Sequence, residues 1–180
     1  MLKSLKWEEG RVLSIHVDKN LYTLAQMRND YLLEVFDVFQ SSDAWDGVDM
    51  NKPKIIFCIV VSPKNVKKIF SDRLVENSVI RNQRPIRKLM LSPIIGAPGK
   101  MGADLIELTE SYSDIDAKII KSSLSAEEDT DLIYEYELCG MEGNPDRLLK
   151  RIRVYHKTGV NWDETKKILF PTIQLPPPSR

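Results

Sequence analysis

The pattern of apolar and polar residues predicts four β-strands in the first third of the chain. The run Arg11–Val17 has the two-residue period of a half-buried strand, and Leu21–Met27 alternates less cleanly. Tyr31–Phe39 is nearly all apolar, which predicts a central strand, and Lys54–Ser62 is rich in β-branched residues. Aspartate and asparagine, which are turn-forming residues, occupy the short links between the first three runs. Links this short join antiparallel neighbours. We therefore predict a strongly twisted antiparallel meander, or a partial barrel.

The pattern becomes less regular after Pro63. Apolar residues at near-helical spacing predict a short helix in 66–74, and prolines and glycines predict a loop over 80–103 with a strand at Leu89–Leu91. Further strands are predicted at Asp104–Glu110, Asp116–Ser122 and Asp131–Cys139.

The clearest helix covers 145–158. Asn144 is a good N-cap, Pro145 suits the first helical position, and Gly159 can end the helix. The fold class is therefore α+β, a twisted antiparallel sheet or partial barrel with a few helices. We expect one domain over 1–180, composed of an N-terminal meander (8–62), a variable region (64–142) and a C-terminal helix and tail (143–180).

Composition is that of a globular protein, with 42% hydrophobic and 29% charged residues. Cys58 and Cys139 lie in apolar runs, which favours buried thiols in a reducing compartment over a disulfide. The N-terminus lacks the apolar core of a signal peptide, and no apolar run has the length of a membrane span. The sequence therefore predicts a cytoplasmic protein with no membrane partner.

The formal net charge is zero, but the two signs are segregated along the chain. Residues 64–100 carry nine basic and two acidic side chains, and residues 101–142 carry two basic and twelve acidic ones. Two interpretations stay open. The segments neutralise one another across the fold, or one charged face is left for a charged partner.

Tests for catalytic and metal-binding motifs are negative. His16 and His156 have no neighbours at metal-ligand spacing, and the loop Gly96–Asp104 lacks the hydroxyl residue of a phosphate-binding loop. Three aspartates in 43–49 stand three residues apart, whereas a calcium loop needs ligands two apart. No serine or cysteine has the surroundings of an activated nucleophile. We therefore expect no enzyme, no cofactor, no metal site and no catalytic residue.

The basic segment 64–100 raises nucleic acid as a ligand, because lysines and arginines can contact phosphates. Phe70 is its only aromatic residue and lies on an apolar side, so stacking on bases has little support. A solvated or internally paired basic face is the preferred interpretation. The alternative function is a non-enzymatic adaptor or nucleic-acid-binding module that uses this segment.

Positions in the meander resemble a known family. A glycine precedes the first strand, a tyrosine–alanine strand follows, and an aromatic–aspartate pair precedes an Ile-Phe strand; these positions are Gly10, Ile15, Tyr22, Ala25, Phe36, Asp37, Ile56 and Phe57. In these features 8–62 resembles the twenty-sixth numbered family of bacterial immunity proteins, which protect cells from polymorphic and contact-dependent inhibition toxins. The resemblance implies a protein that binds and neutralises a cognate toxin domain, a nuclease.

An inhibitor of a basic nuclease can present carboxylates in place of the phosphates of the substrate. The partner-binding residues predicted on this basis are Asp43, Trp45, Asp46, Asp49, Asp104, Glu107, Glu110, Glu127, Glu128, Asp129 and Asp131. Trp45 is either an exposed anchor for the partner or a plug at the open end of the sheet. Phe36, Ile56 and Phe57 are predicted to be core.

Overall fold

The structure, a computed structural model, describes residues 5–72, 75, 78–96, 101–109 and 115–179. The strands are β1 (Val12–Asp18), β2 (Leu21–Met27), β3 (Leu32–Gln40), β4 (Val48–Asp49), β5 (Ile55–Val61), β6 (Val79–Ile80), β7 (Leu89–Ile94), β8 (Gly102–Glu107), β9 (Lys118–Lys121) and β10 (Met141–Glu142). The helices are α1 (Pro63–Val66), α2 (Thr130–Glu135), α3 (Pro145–Thr158) and α4 (Glu164–Leu169).

The predicted meander is the main sheet. Its five strands follow the order β1-β2-β3-β5-β10 and curl into a half-barrel. The first four strands pair antiparallel with their neighbours, and β10 adds in parallel to β5. Each antiparallel pairing contains a register shift, which increases the local twist and bends the sheet. The α+β prediction is confirmed.

A second sheet has the order β7-β8-β9, and all of its pairs are antiparallel. It contacts the half-barrel through a small apolar cluster that includes Cys58, Met90 and Ile106. The strands predicted at Leu89–Leu91, in Asp104–Glu110 and in Asp116–Ser122 correspond to this sheet. Strands β4 and β6 form a separate parallel pair.

The meander is buried on both faces. One face packs against α3 around Phe57 and Ile152, and the other is covered by a loop that places Trp45 and Met50 against Phe36. Phe36, Ile56 and Phe57 are at most 1% exposed, so the prediction that they are core is confirmed.

Helix α3 is bounded as its caps predict. The Asn144 side chain accepts hydrogen bonds from the backbone N–H groups of Asp146 and Arg147, Pro145 is the first residue, and Gly159 ends the helix with a left-handed φ of 76°. Leu148, Ile152 and Tyr155 are buried on one face, as the apolar spacing predicts.

Replacing Asn144 with alanine should remove both capping hydrogen bonds. We expect the free energy of unfolding to fall by about 1 kcal/mol, the usual effect of losing an N-cap. Urea unfolding followed by circular dichroism measures this, with Asn20→Ala in the turn between β1 and β2 as the control. An unchanged midpoint for Asn144→Ala would show that the cap does not stabilise α3.

Two predictions of local structure are wrong. The segment Asp131–Cys139 does not form a strand but begins within α2, where Ile133 N donates to Asp129 O. The helix predicted in 66–74 is only the short α1 followed by a 3-10 turn at Lys67–Ile69. The chain becomes extended at Phe70, where it forms a β-bridge with Ile15 of β1. Residues 73 and 74 lie outside the described part of the chain.

Candidate functional site

Three of the predicted carboxylates lie together at the surface. Glu127, Glu128 and Asp131 are exposed around the first turn of α2, and we call them the acidic patch. No ion pair joins any of the three to another residue of the described chain. Negative charge near the N-terminus of a helix is stabilised by the helix dipole. The patch therefore presents three carboxylates to solvent.

Asp129 lies within the same segment but has a different environment. It is 5% exposed and accepts hydrogen bonds from Lys121 Nζ (2.5 Å) and from the backbone N of Ser125 (2.9 Å). The Lys121 hydrogen bond, followed by that from Ser125, lowers the pKa of Asp129. The grouping of Asp129 with the exposed carboxylates is thus wrong, because its side chain joins β9 to the start of α2.

The predicted carboxylates of β8 are divided. Asp104 is half-buried and accepts a hydrogen bond from the backbone N of Ser123 (2.6 Å). Glu107 is exposed and is the register partner of Lys118 on β9. Glu110 lies outside the described residues. Asp104 therefore holds the connection after β9, while Glu107 is available at the surface.

The 43–49 loop is tied to the half-barrel and not to the acidic patch. Asp43 accepts hydrogen bonds from Trp45 Nε1 (2.7 Å) and Ser71 Oγ (2.5 Å). Asn51, through its side chain and then its backbone, lowers the pKa of Asp49. Asp46 is the exposed one of the three aspartates, and Asp43 and Asp49 are half-buried.

Trp45 is buried, with no exposed surface. Its indole packs in the cluster that contains Leu24 and Phe36, and its Nε1 also donates to Ser14 Oγ (3.1 Å). The expectation of an exposed aromatic anchor is wrong. The alternative interpretation, a residue that plugs the sheet, matches the structure.

Part of the acidic segment is neutralised internally. Glu135 pairs with Lys54 and Arg87, and Arg87 also pairs with the buried Glu137 (2.7 Å). Glu142 pairs with Arg147 (2.6 Å). Neutralisation across the fold therefore accounts for these carboxylates, while the acidic patch remains as a charged surface.

The basic segment is also partly used inside the fold. Arg84 donates to the backbone oxygens of Met50 (3.0 Å) and Pro53 (2.9 Å), and the guanidinium of Arg87 is held by Glu135 and Glu137. Phe70 is 1% exposed and cannot stack on a base. These contacts favour an internally paired segment over a nucleic-acid surface.

An edge strand lies beside the acidic patch. All four residues of β9 are exposed, including Ile119 (58%) and Ile120 (44%), and the Lys121–Asp129 pair joins this strand to α2. Among the described residues, only β8 pairs with β9. An unpaired strand edge with apolar side chains can accept a partner.

The titratable groups most typical of catalysis have structural contacts. His16 stacks on Tyr22, with ring centroids 4.8 Å apart, and His156 meets the edge of Phe39 at 4.6 Å. Burial, and then the charge of Glu137, raises the pKa of the Cys58 thiol well above its usual range. In the described ranges no three His, Cys, Asp or Glu residues are grouped to hold a metal, and no helix there could span a membrane.

Comparison with known proteins places the whole chain in one family. No curated protein and no solved structure matches the chain. One family model matches residues 2–175, which is nearly the full length of the chain and includes every strand and helix named above. The chain therefore belongs to the family described as a domain of unknown function, DUF8309.

Proposed function

We propose that this protein is a cytoplasmic bacterial immunity protein that binds a cognate toxin domain, a nuclease, and neutralises it without catalysis. The single observation that carries the proposal is the acidic patch, three exposed carboxylates that no described residue neutralises. The family resemblance of 8–62 supports it, since Gly10, Ile15, Phe36 and Phe57 all belong to the half-barrel or its first turn.

The acidic patch suits a basic partner for an electrostatic reason. Carboxylates at Glu127, Glu128 and Asp131 repel one another when the protein is alone, and lysines or arginines of a partner relieve that repulsion. A nuclease active site binds phosphates with such residues. Carboxylates seated there exclude the nucleic acid and so block the toxin.

The neighbouring edge of β9 supplies the apolar surface that the acidic patch lacks. Interfaces need desolvated apolar contacts at their centre with polar groups around them. Ile119 and Ile120 provide apolar surface, and the acidic patch with Glu107 provides the charged rim. Asp46 and the rest of the 43–49 loop are held by the other sheet, so we place the loop outside the centre of the interface.

Charge reversal tests the proposal. The variant Glu127→Lys, Glu128→Lys, Asp131→Lys should associate at least about tenfold more slowly with the toxin domain encoded next to its gene, because steering by charge is lost. The parent rate should fall as salt rises, since exposed charges are screened beyond about 8–10 Å. Stopped-flow fluorescence measures the rate, and survival on co-expression measures protection. Asp129 stays unchanged because it is structural.

The matched control reverses three exposed lysines, Lys64, Lys68 and Lys157. It should associate at the parent rate or faster and should still protect. If the acidic variant protects fully while the lysine variant does not, the interface has the opposite sign. Salt-sensitive binding of transfer RNA or duplex DNA by the parent would instead favour the nucleic-acid-binding alternative.

A further inference from the structure

Two adjoining hollows lie where the end of β5, strand β7 and helix α3 meet. The first has a volume of about 290 Å³ and walls that include Val60, Met90, Leu108 and Met141, so we call it the apolar hollow. The second, of about 160 Å³, is lined by Arg147 and Arg151 together with the carboxylates of Glu142 and Asp163, and we call it the arginine hollow. They share the wall Pro93, Cys139, Gly140 and Met141, which makes them one continuous depression.

Arg151 in the arginine hollow is buried and has few hydrogen-bond acceptors within the described residues. Its side chain is 6% exposed, its guanidinium lies 4.7 Å from the ring centroid of Phe57, and its one hydrogen bond runs from Nη2 to Asn161 Oδ1 (3.2 Å). Its buried Nε has no hydrogen-bond acceptor among the described residues. An arginine has five N–H donors, and Arg151 makes a single side-chain hydrogen bond within the described residues.

The nearest carboxylate does not fill that role. Asp163 Oδ2 is 3.9 Å from Arg151 Nε, beyond hydrogen-bond distance. Asp163 Oδ1 caps α4 by accepting from the backbone N of Thr165 (2.8 Å) and Lys166 (3.2 Å). Because burying an unsatisfied donor is costly, this arrangement indicates that an acceptor is supplied from outside the protein.

A second arginine faces the same hollow from one turn earlier on α3. Arg147 and Arg151 are four residues apart, which places them on one face of the helix. Arg147 Nε donates to Glu142 Oε2 (2.6 Å), while its Nη groups have no acceptor among the described residues and the side chain is 47% exposed. Two guanidinium groups so placed match the oxygens of a carboxylate or phosphate.

A buried lysine, Lys166, follows Thr165 of the arginine hollow in the chain. Lys166 is fully buried, and its ammonium donates to the backbone oxygens of Ile133 (2.7 Å), Tyr136 (2.6 Å) and Asn161 (2.6 Å). Burial, and then the charge of Arg151, lowers the pKa of Lys166 to about 7. An anion in the hollow would offset this repulsion between cations.

The junction between the two hollows is open. Gly140 has a φ of 131°, which side chains rarely tolerate, and a Cβ there would meet no atom within 4 Å. A chain-like molecule can therefore extend from the arginines into the apolar hollow. We propose that the depression binds a small amphiphile whose anionic head, a carboxylate or phosphate, is held by Arg147 and Arg151 and whose alkyl tail fills the apolar hollow.

Calorimetric titration with four probes tests this proposal. Octanoate and octyl phosphate should each bind at one site, at least about tenfold more tightly than inorganic phosphate or octanol, because head and tail both contribute. The stronger of the first two probes identifies the head group. Binding of inorganic phosphate or octanol as tight as that of the amphiphiles would overturn the proposal, and so would the absence of saturable binding by both amphiphiles.

Three variants test whether the amphiphile binds in this depression. Arg147→Gln should weaken amphiphile binding about tenfold, which corresponds to 1.4 kcal/mol. Met141→Glu should weaken it at least as much, because Met141 is 64% exposed and a carboxylate there repels the head group without disturbing the core. The control is Arg153→Gln on the same helix, since Arg153 instead donates to the backbone oxygen of Val17 (3.0 Å).

Melting temperatures establish that each variant is folded. The proposal requires Arg147→Gln and Met141→Glu to lose affinity while Arg153→Gln keeps it. If both hollow variants bind octyl phosphate like the parent, or if the control loses as much affinity as they do, the amphiphile does not bind in this depression.

Discussion

Replacing Glu137 with alanine should lower the free energy of unfolding by about 3–5 kcal/mol. Glu137 has no exposed surface, and its carboxylate joins three separate parts of the chain. Oε1 accepts from the backbone N of Cys58 on β5 (2.9 Å), and Oε2 accepts from Arg87 Nη2 (2.7 Å) and Asn161 Nδ2 (3.1 Å). Alanine leaves the buried backbone N–H of Cys58 without its acceptor and removes the shorter of the two ion pairs of Arg87, which then keeps only Glu135. Urea unfolding at neutral pH measures the loss.

Glu135 offers a matched control for Glu137. It is two residues away and pairs with the same Arg87, but its side chain is 33% exposed. Water can replace its contacts, so Glu135→Ala should cost no more than about 1 kcal/mol. Glu137→Gln keeps an acceptor for Cys58 and should fall between the two alanine variants. Equal losses for Glu135→Ala and Glu137→Ala would show that burial does not set the value of these carboxylates.

The meander could be predicted because residues close together in the sequence determine its strands and turns. Runs of apolar and β-branched residues mark the strands, and the short turns around Asp18–Asn20 and Arg28–Asp30 leave only antiparallel neighbours. Helix α3 could be predicted for the same reason, since Asn144 and Gly159 mark its ends within the sequence itself. The strands of the three-stranded sheet were predicted one by one, but their pairing was not.

Helix α2 was mistaken for a strand because its decisive contacts are distant. Leu132, Tyr134 and Tyr136 alternate like strand residues, yet the backbone is helical as far as Glu135, and Ile133 is the buried residue of this helix. The ammonium of Lys166 donates to the backbone oxygen of Ile133 in the last turn of α2 and to that of Tyr136 just after it. These hydrogen bonds stabilise the end of the helix. A sequence pattern covers neighbouring residues, so it does not show a contact with a residue some thirty positions away.

Only part of the candidate site could be predicted from the sequence. Segment charge correctly points to exposed carboxylates near α2, but charge counts do not show which carboxylates have partners. Asp129 is buried because Lys121 neutralises it, and Glu137 because Arg87 does. Arg147 and Arg151 lie in the predicted helix 145–158, and their i and i+4 spacing is a signal for two cations on one face. Arg151 has Asn161 as its one side-chain hydrogen-bond acceptor in the described part of the chain, and this is a tertiary feature that no sequence pattern shows.

Replacing Phe36 with alanine should cost about 3–5 kcal/mol, because it opens a cavity in a well-packed cluster. Phe36 is fully buried on the face of β3 that contacts Trp45 and Met50, and the guanidinium of Arg84 lies 6.0 Å from its ring centroid. Thermal and urea unfolding measure the loss. Phe39→Ala is the control, since Phe39 is only half-buried at the margin of the other cluster and should cost about 1–2 kcal/mol.

The same variant separates the core from the proposed interface. Phe36 lies beneath the 43–49 loop, whereas the acidic patch and β9 are attached to the other sheet. Below its lowered melting temperature, Phe36→Ala should therefore associate with the toxin domain at the parent rate. If it melts like the parent but no longer binds the toxin, this face of the half-barrel is the interface, and the acidic patch is not.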